Sequence, residues 1–259
     1  MVRSPMKIGI IAGYKIPNLI KKPESILIET PSGNVNIEVN SHKDHTLFFL
    51  NRHGMDADIP PHNINYLANI QALAASHVEC IFSVGTVGSL KPTIQPGDFI
   101  IPHDFIDFTK SRVYTFFEKK RVHVDMTEPY CPTIRKELIA AGKDIEKVNL
   151  HKNGIYLATE GPRLETAAEI TLFSKYADIV GMTAVPEIVL AREKGICYAS
   201  LCVVCNMATG LQNRLTTDEI TTIYKKKEPL ISELLRKSLA TLHSKSTCHC
   251  KDIVIKATL

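Results

Sequence analysis

The sequence predicts one α/β domain, a mixed central β-sheet with helices on both faces. Three observations predict it. Short apolar runs alternate with segments of helical periodicity through most of the 259 residues. Some runs, notably 196–206, are apolar throughout rather than alternating, as strands covered on both faces are. No linker, repeat or low-complexity stretch divides the chain, so the domain spans 1–259 with peripheral tails at 1–6 and 245–259.

The elements follow in order. Residues 7–13 are apolar and end in Gly13, the pattern of a buried first strand. Runs 25–29 and 34–39 alternate in polarity and flank Thr30-Pro31-Ser32-Gly33, which predicts a hairpin. A strand at 45–50 stops at Asn51-Arg52-His53-Gly54, and helical spacing marks 63–76. Residues 78–84 read as a buried strand leading into Gly85-Thr86-Val87-Gly88, and 97–106 as one strand interrupted by Pro102. Residues 108–130 are irregular, polar and aromatic, a candidate loop over a site. A helix over 132–141 carries Pro132 in its first turn. A strand at 154–159, a helix at 164–176 and a strand at 178–181 come next. The helix at 186–194 ends at Gly195. After strand 196–206, a long helical stretch over 217–243 is expected to kink or break at Pro229.

Composition excludes several function classes. The net charge is +4 with scattered basic residues, and Lys225-Lys226-Lys227 reads as a solvated helix face, so no nucleic-acid partner is expected. No apolar run approaches roughly 18 residues, and the first residues lack a signal-peptide pattern; no membrane partner and a cytoplasmic location are expected. Cys80, Cys197, Cys202 and Cys205 sit in apolar runs and read as small buried hydrophobes of a reducing compartment. Cys202 and Cys205, three apart on a strand, point to opposite faces and do not share a metal. The tail Cys248-His249-Cys250 is polar: a labile disulfide, half of a metal site and no role at all stay open, and no zinc spacing completes it.

Three polar clusters close apolar stretches within about fifty residues of one another, as the strand and loop signals place them. They are Glu160-Gly161-Pro162-Arg163-Leu164-Glu165-Thr166, Gly181-Met182-Thr183-Ala184-Val185-Pro186-Glu187, and Asn206. Strand ends of open α/β sheets gather ligands, so this segment predicts a small-molecule site.

These clusters belong to a longer series of motifs: N-R-H-G at 51–54, N-x-N-Y-x-A-N-I-x-A-L at 63–73, G-S-L-x-x-x-I-Q-P-G-D at 88–98, E-P-Y-C-P at 128–132, E-G-P-R at 160–163, and G-M-T-x-V-P-E-x-V-L-A-R-E-x-G-I-C-Y-A-S at 181–200. In this order, over roughly 7–243, the chain resembles the trimeric purine nucleoside phosphorylase and 5'-methylthioadenosine phosphorylase family. The resemblance implies a nucleoside phosphorylase-like fold and phosphorolysis, in which phosphate attacks the anomeric carbon and the purine leaves. Positioning and charge stabilisation then matter more than a nucleophilic side chain.

What the resemblance implies for residues is specific. Arg52, His53, Thr86 and Thr183 match phosphate-binding positions, with Gly13-Tyr14 forming the first-strand loop. Here the chain departs from the family, which has Gly-Gly followed by Ser or Thr where this chain has Ala12-Gly13-Tyr14; Gly85 and Ala57 are further departures. Relatives cleaving 6-aminopurines carry Asp-x-Asp where Asn206-Met207-Ala208 stands, and 6-oxopurine relatives carry Asn at that position and a Glu matched by Glu165. A Glu165 carboxylate accepts from the N1–H that neutral adenine lacks, while the Asn206 amide donates to O6 or N7, so both are the expected catalytic pair. Leu164 and Met182 are expected to sandwich the base and sugar, with Thr217 and Ile220 near the sugar's 5' end. His123 is expected to reach a neighbouring subunit's sugar site, implying a homotrimer or a hexamer built as a dimer of trimers. Phosphate is the co-substrate; no metal and no organic cofactor are expected. The branch resembled is that of S-methyl-5'-thioinosine phosphorylases, with inosine and guanosine as further substrates. A 5'-methylthioadenosine phosphorylase is the alternative. A non-catalytic nucleoside-binding relative is another, motivated by Ala12, Tyr14, Gly85 and Ala57.

Overall fold

The structure, a computed structural model, describes residues 5–20, 22–42, 44–213, 216–242, 248–253 and 257. The expected helix end at His243 and parts of both tails lie outside them.

Strand β1 (Lys7–Ala12) lies parallel between β4 (His45–Asn51) and β5 (Cys80–Ser89). The hairpin of β2 (Glu24–Thr30) and β3 (Gly33–His42) extends the sheet beyond β4; Gly33, at φ +131°, closes its turn where a side chain would be strained. On the other side the sheet forks at β5. β11 (Cys197–Met207) runs parallel to β5, while the end of β5 pairs antiparallel with β10 (Ile179–Gly181). From β10 one branch continues through β9 (Ile155–Thr159) to β7 (Asp104–Phe108). From β11 the other passes through β6 (Phe99–Ile100) to β8 (Leu150–His151).

The continuous apolar run in β11 is explained by cover on both faces. Ala199, Leu201, Val203 and Cys205 pack in the core beneath α2 (Pro132–Lys143) and α5 (Thr217–Thr241). Tyr198, Cys202 and Val204 face the core of α1 (Tyr66–Ala75) and α4 (Ala184–Glu193). Cys202 and Cys205 thus lie in different cores, as their spacing requires. Helix α3 (Ala167–Phe173) covers a smaller cluster through Ile170 and Phe173.

Four expectations are corrected. The 97–106 run is two strands, because Pro102 turns the chain from β6 into β7 on the other branch. The helix expected from 164 starts at Ala167: Thr166 accepts from the Glu169 amide while Glu169 accepts from the Thr166 amide, a capping box that keeps Leu164 and Glu165 in the preceding loop. Helix α5 continues through Pro229, since Tyr224 before it and Ile231, Leu234, Leu235 and Leu239 after it are buried in one core. That packing offsets a local cost of about 3 kcal/mol. The tails are less peripheral than expected, with Met6 and Cys250 both buried. Among the described residues no helix is long and apolar enough to cross a membrane.

Candidate active site

The carboxyl ends of β1, β4, β5 and β11 converge on a cavity of about 360 Å³. Gly13, Tyr14, Arg52, His53, Thr86 and Thr183 line it, as do Leu164, Glu165, Met182, Asn206 and Ala208. Ile220 lines it as well. Thr217 does not: it is exposed in the first turn of α5, where its carbonyl accepts from Thr221. His123 is exposed and outside this wall, its amide donating to the Ala257 carbonyl.

Arg52 does not present a free fork. Its Nε and Nη2 donate to the two oxygens of Glu187 at 3.1 Å each, Nη1 donates to the Val84 carbonyl at 2.7 Å, and Nη2 also donates to Ser83 Oγ at 2.7 Å. Tyr198 and Ser83 donate to the same Glu187 oxygen at 2.7 and 2.8 Å. Burial works against the charge of Arg52, but the Glu187 carboxylate more than offsets it and raises the pKa above the ordinary range. Arg52 is thus a buried, locked cation whose field reaches the cavity, with one Nη1 proton left for a ligand. Glu187 thus already holds the guanidinium fork that would otherwise be free for an anion.

His53 is fixed at the other nitrogen. Its Nδ1 lies 2.6 Å from the Ile59 carbonyl, so the neutral ring carries its proton there and turns Nε2 toward Gly13. A Cβ at Gly13 would lie 3.0 Å from the ring, so a larger residue there would press on His53. Burial pushes the His53 pKa down. Thr183 precedes α4 and makes no side-chain cap bond to it, so its hydroxyl is left to the cavity it lines; Val185, with extended backbone, separates it from the regular turns of the helix.

Glu165, buried, accepts from the Thr159 hydroxyl at 2.6 Å through one oxygen. Asn206 donates one amide proton to the Met207 carbonyl at 2.9 Å and retains a second N–H and its carbonyl. Gly88 leaves room for that amide, since a Cβ there would stand 3.0 Å from Nδ2. Ala208 offers only a methyl group where a carboxylate would fit the other substrate class.

Sequence reasoning missed four residues. Tyr224 is 2% exposed, lines the cavity one helical turn after Ile220, and its hydroxyl has no hydrogen-bond partner among the described residues. Its i+4 spacing from Ile220 was the available signal. Its ring lies 4.6 Å from that of Tyr14. Thr209 Oγ1 is likewise buried without a partner beside the cavity. Glu187 was visible only as part of a motif. Arg112 pins the 108–130 segment behind the site, donating to the carbonyls of Met182 at 2.6 Å and Glu160 at 2.7 Å.

Comparison with known proteins is consistent with this geometry. The model of the Phosphorylase superfamily matches residues 7–240. A probable S-methyl-5'-thioinosine phosphorylase of Methanopyrus kandleri is 42% identical over 94% of this chain and 96% of its own. A 6-oxopurine nucleoside phosphorylase of Pyrococcus furiosus is 43% identical over 97% of this chain and 99% of its own. Among solved structures, a methylthioadenosine phosphorylase from an Antarctic soil metagenomic library superimposes with a TM-score of 0.92 at 33% identity, covering 99% of this chain and 93% of that one.

Proposed function

The chain belongs to the phosphorylase superfamily, and we propose that it cleaves 6-oxopurine nucleosides with inorganic phosphate, S-methyl-5'-thioinosine foremost and inosine and guanosine besides. The products are the free base and (5-methylthio)ribose 1-phosphate. One observation carries the choice of base: Glu165 and Asn206 border the same cavity with unused hydrogen-bonding capacity, and Ala208 beside them brings no carboxylate.

The residues divide the work. Phosphate sits against His53, Thr86, Thr183 and the Gly13-Tyr14 loop, in the field of Arg52. It attacks the anomeric carbon as the glycosidic bond lengthens, and positive charge on the sugar is balanced by the anion beneath it. Asn206 donates to the purine as negative charge grows there; Glu165 holds the N1–H edge; Leu164 and Met182 flank the ring and help exclude water. Ile220 forms an apolar rest for the 5' substituent, which suits a thioether. The reaction uses no metal and no organic cofactor. A homotrimer, alone or paired into a hexamer, brings His123 to a neighbour's sugar site, and the enzyme works in the cytoplasm.

Phosphorolysis rates on methylthioinosine, inosine, guanosine and methylthioadenosine test the reading. A higher kcat/KM on the 6-amino substrate overturns the base assignment; nucleoside binding without base release overturns catalysis itself. Methylthioadenosine is the second reading, supported by the 33%-identical methylthioadenosine phosphorylase. Asn206→Asp is expected to shift the ratio of 6-oxo to 6-amino turnover about tenfold toward the latter.

A further inference from the structure

A second constellation lies at the far end of β11. Cys131, Cys197, Cys248 and Cys250 bring their four sulfurs within 4.8 Å of one another. They come from three places: the residue before α2, the first residue of β11, and the C-terminal tail. None of the seven cysteines is in a disulfide. Cys131, Cys197 and Cys250 are buried and Cys248 is half-buried. The tail reaches this point over Gly195, where a Cβ would meet the Lys251 backbone at 3.4 Å.

The arrangement fits a metal in two independent ways. Four thiolates around a tetrahedral Zn²⁺, each about 2.3 Å from it, stand about 3.8 Å apart, compatible with four sulfurs all mutually close. Two disulfides need only two close pairs. The surroundings are also cationic. Buried Arg192 points Nη1 at Cys250 Sγ from 3.6 Å, and Cys131 occupies the positive end of the twelve-residue α2. A zinc tetrathiolate carries a net charge of −2, which a buried guanidinium partly balances, whereas neutral disulfides need no such partner.

We propose that Cys131, Cys197, Cys248 and Cys250 form a structural zinc site that clamps the C-terminal tail onto the body of the domain. Binding displaces the thiol protons and oxidises nothing. Cys197 stands nine residues from Asn206 along β11, about 30 Å at strand rise, so the ion takes no part in the reaction at the cavity.

Tag-free, full-length protein purified under reducing conditions provides the test. Metal analysis by mass spectrometry is expected to find one zinc per chain, and Co²⁺ exchanged into the site to give the visible absorption of a tetrahedral thiolate complex. A Cys248→Ser, Cys250→Ser double variant is expected to lose the metal at least tenfold, with a lower thermal midpoint and an unchanged turnover rate at moderate temperature. Failure of reduced wild-type protein to take up zinc or cobalt overturns the proposal. So does an intact mass lighter by the four hydrogens of two disulfides. Should the double variant not fold, the cobalt spectrum of the wild type decides alone.

Discussion

Two groups of residues lining the cavity are built on opposite principles. In the first group the strongest charge is already spent, with Arg52 locked on Glu187 and buried beside Ser83 and Tyr198. In the second, the Glu165 and Asn206 side chains each make one protein hydrogen bond among those described and keep the rest of their polar capacity open. The first arrangement supplies a fixed field; the second supplies choice. Substitutions at the first should decide whether the protein folds and turns over at all, and those at the second should decide which nucleoside it prefers.

The largest effect should come from Glu187→Ala. Stranding a buried guanidinium is expected to cost about 3–5 kcal/mol of unfolding free energy, measured by denaturant titration. A loss below about 1 kcal/mol would show that Arg52 finds water or another partner, and the contrast between the two groups would fail. Glu165→Gln should leave stability nearly unchanged yet lower kcat/KM on 6-oxopurine nucleosides roughly tenfold to a hundredfold, the worth of a hydrogen bond to a charged group. An equal loss on 6-aminopurine substrates would mean that Glu165 does not read the base edge. Tyr224→Phe should be smaller, about fivefold on one substrate KM, without loss of stability, because its hydroxyl has no partner among the described residues to leave behind. Which KM rises, phosphate or nucleoside, tells to which group Tyr224 belongs.

The smallest effect is one of pH. Burial depresses the His53 pKa, so near neutrality the ring is uncharged, with its proton on Nδ1 toward Ile59. Its Nε2 then accepts a hydrogen bond and prefers a phosphate oxygen that still bears a proton. Phosphate KM should therefore rise a few-fold as pH climbs through the second ionisation of phosphate, and His53→Gln, which donates instead, should flatten that rise. The sign for stability is the reverse. The unfolded histidine binds protons more readily than the folded one, so its contribution is present above the ordinary histidine pKa of about 6.5 and is lost as pH falls below it.

Much of this was legible in the chain, and the failures have a common cause. Fully apolar runs such as 196–206 announced covered strands, and the polar groups closing them announced the cavity, because both signals are local. Glu187's grip on Arg52 spans 135 residues of sequence, and no periodicity or spacing encodes such a distance. The thiol cluster escaped for the same reason, since two of its sulfurs come from residues 131 and 197 and only the remaining pair is adjacent. The helix start was misjudged at Leu164 because apolar spacing there outweighed the Thr166–Glu169 cap, although that cap was itself readable.

The fork at β5 has an evolutionary consequence. Arg52 and His53 follow β4 on one limb of the sheet, whereas Glu165 follows β9 on another and Asn206 closes a third. The loop after β9 and the tip of β11 can therefore be redrawn, and with them the groups proposed to read the base, while the Arg52–Glu187 ion pair, to which neither segment contributes, stays in place.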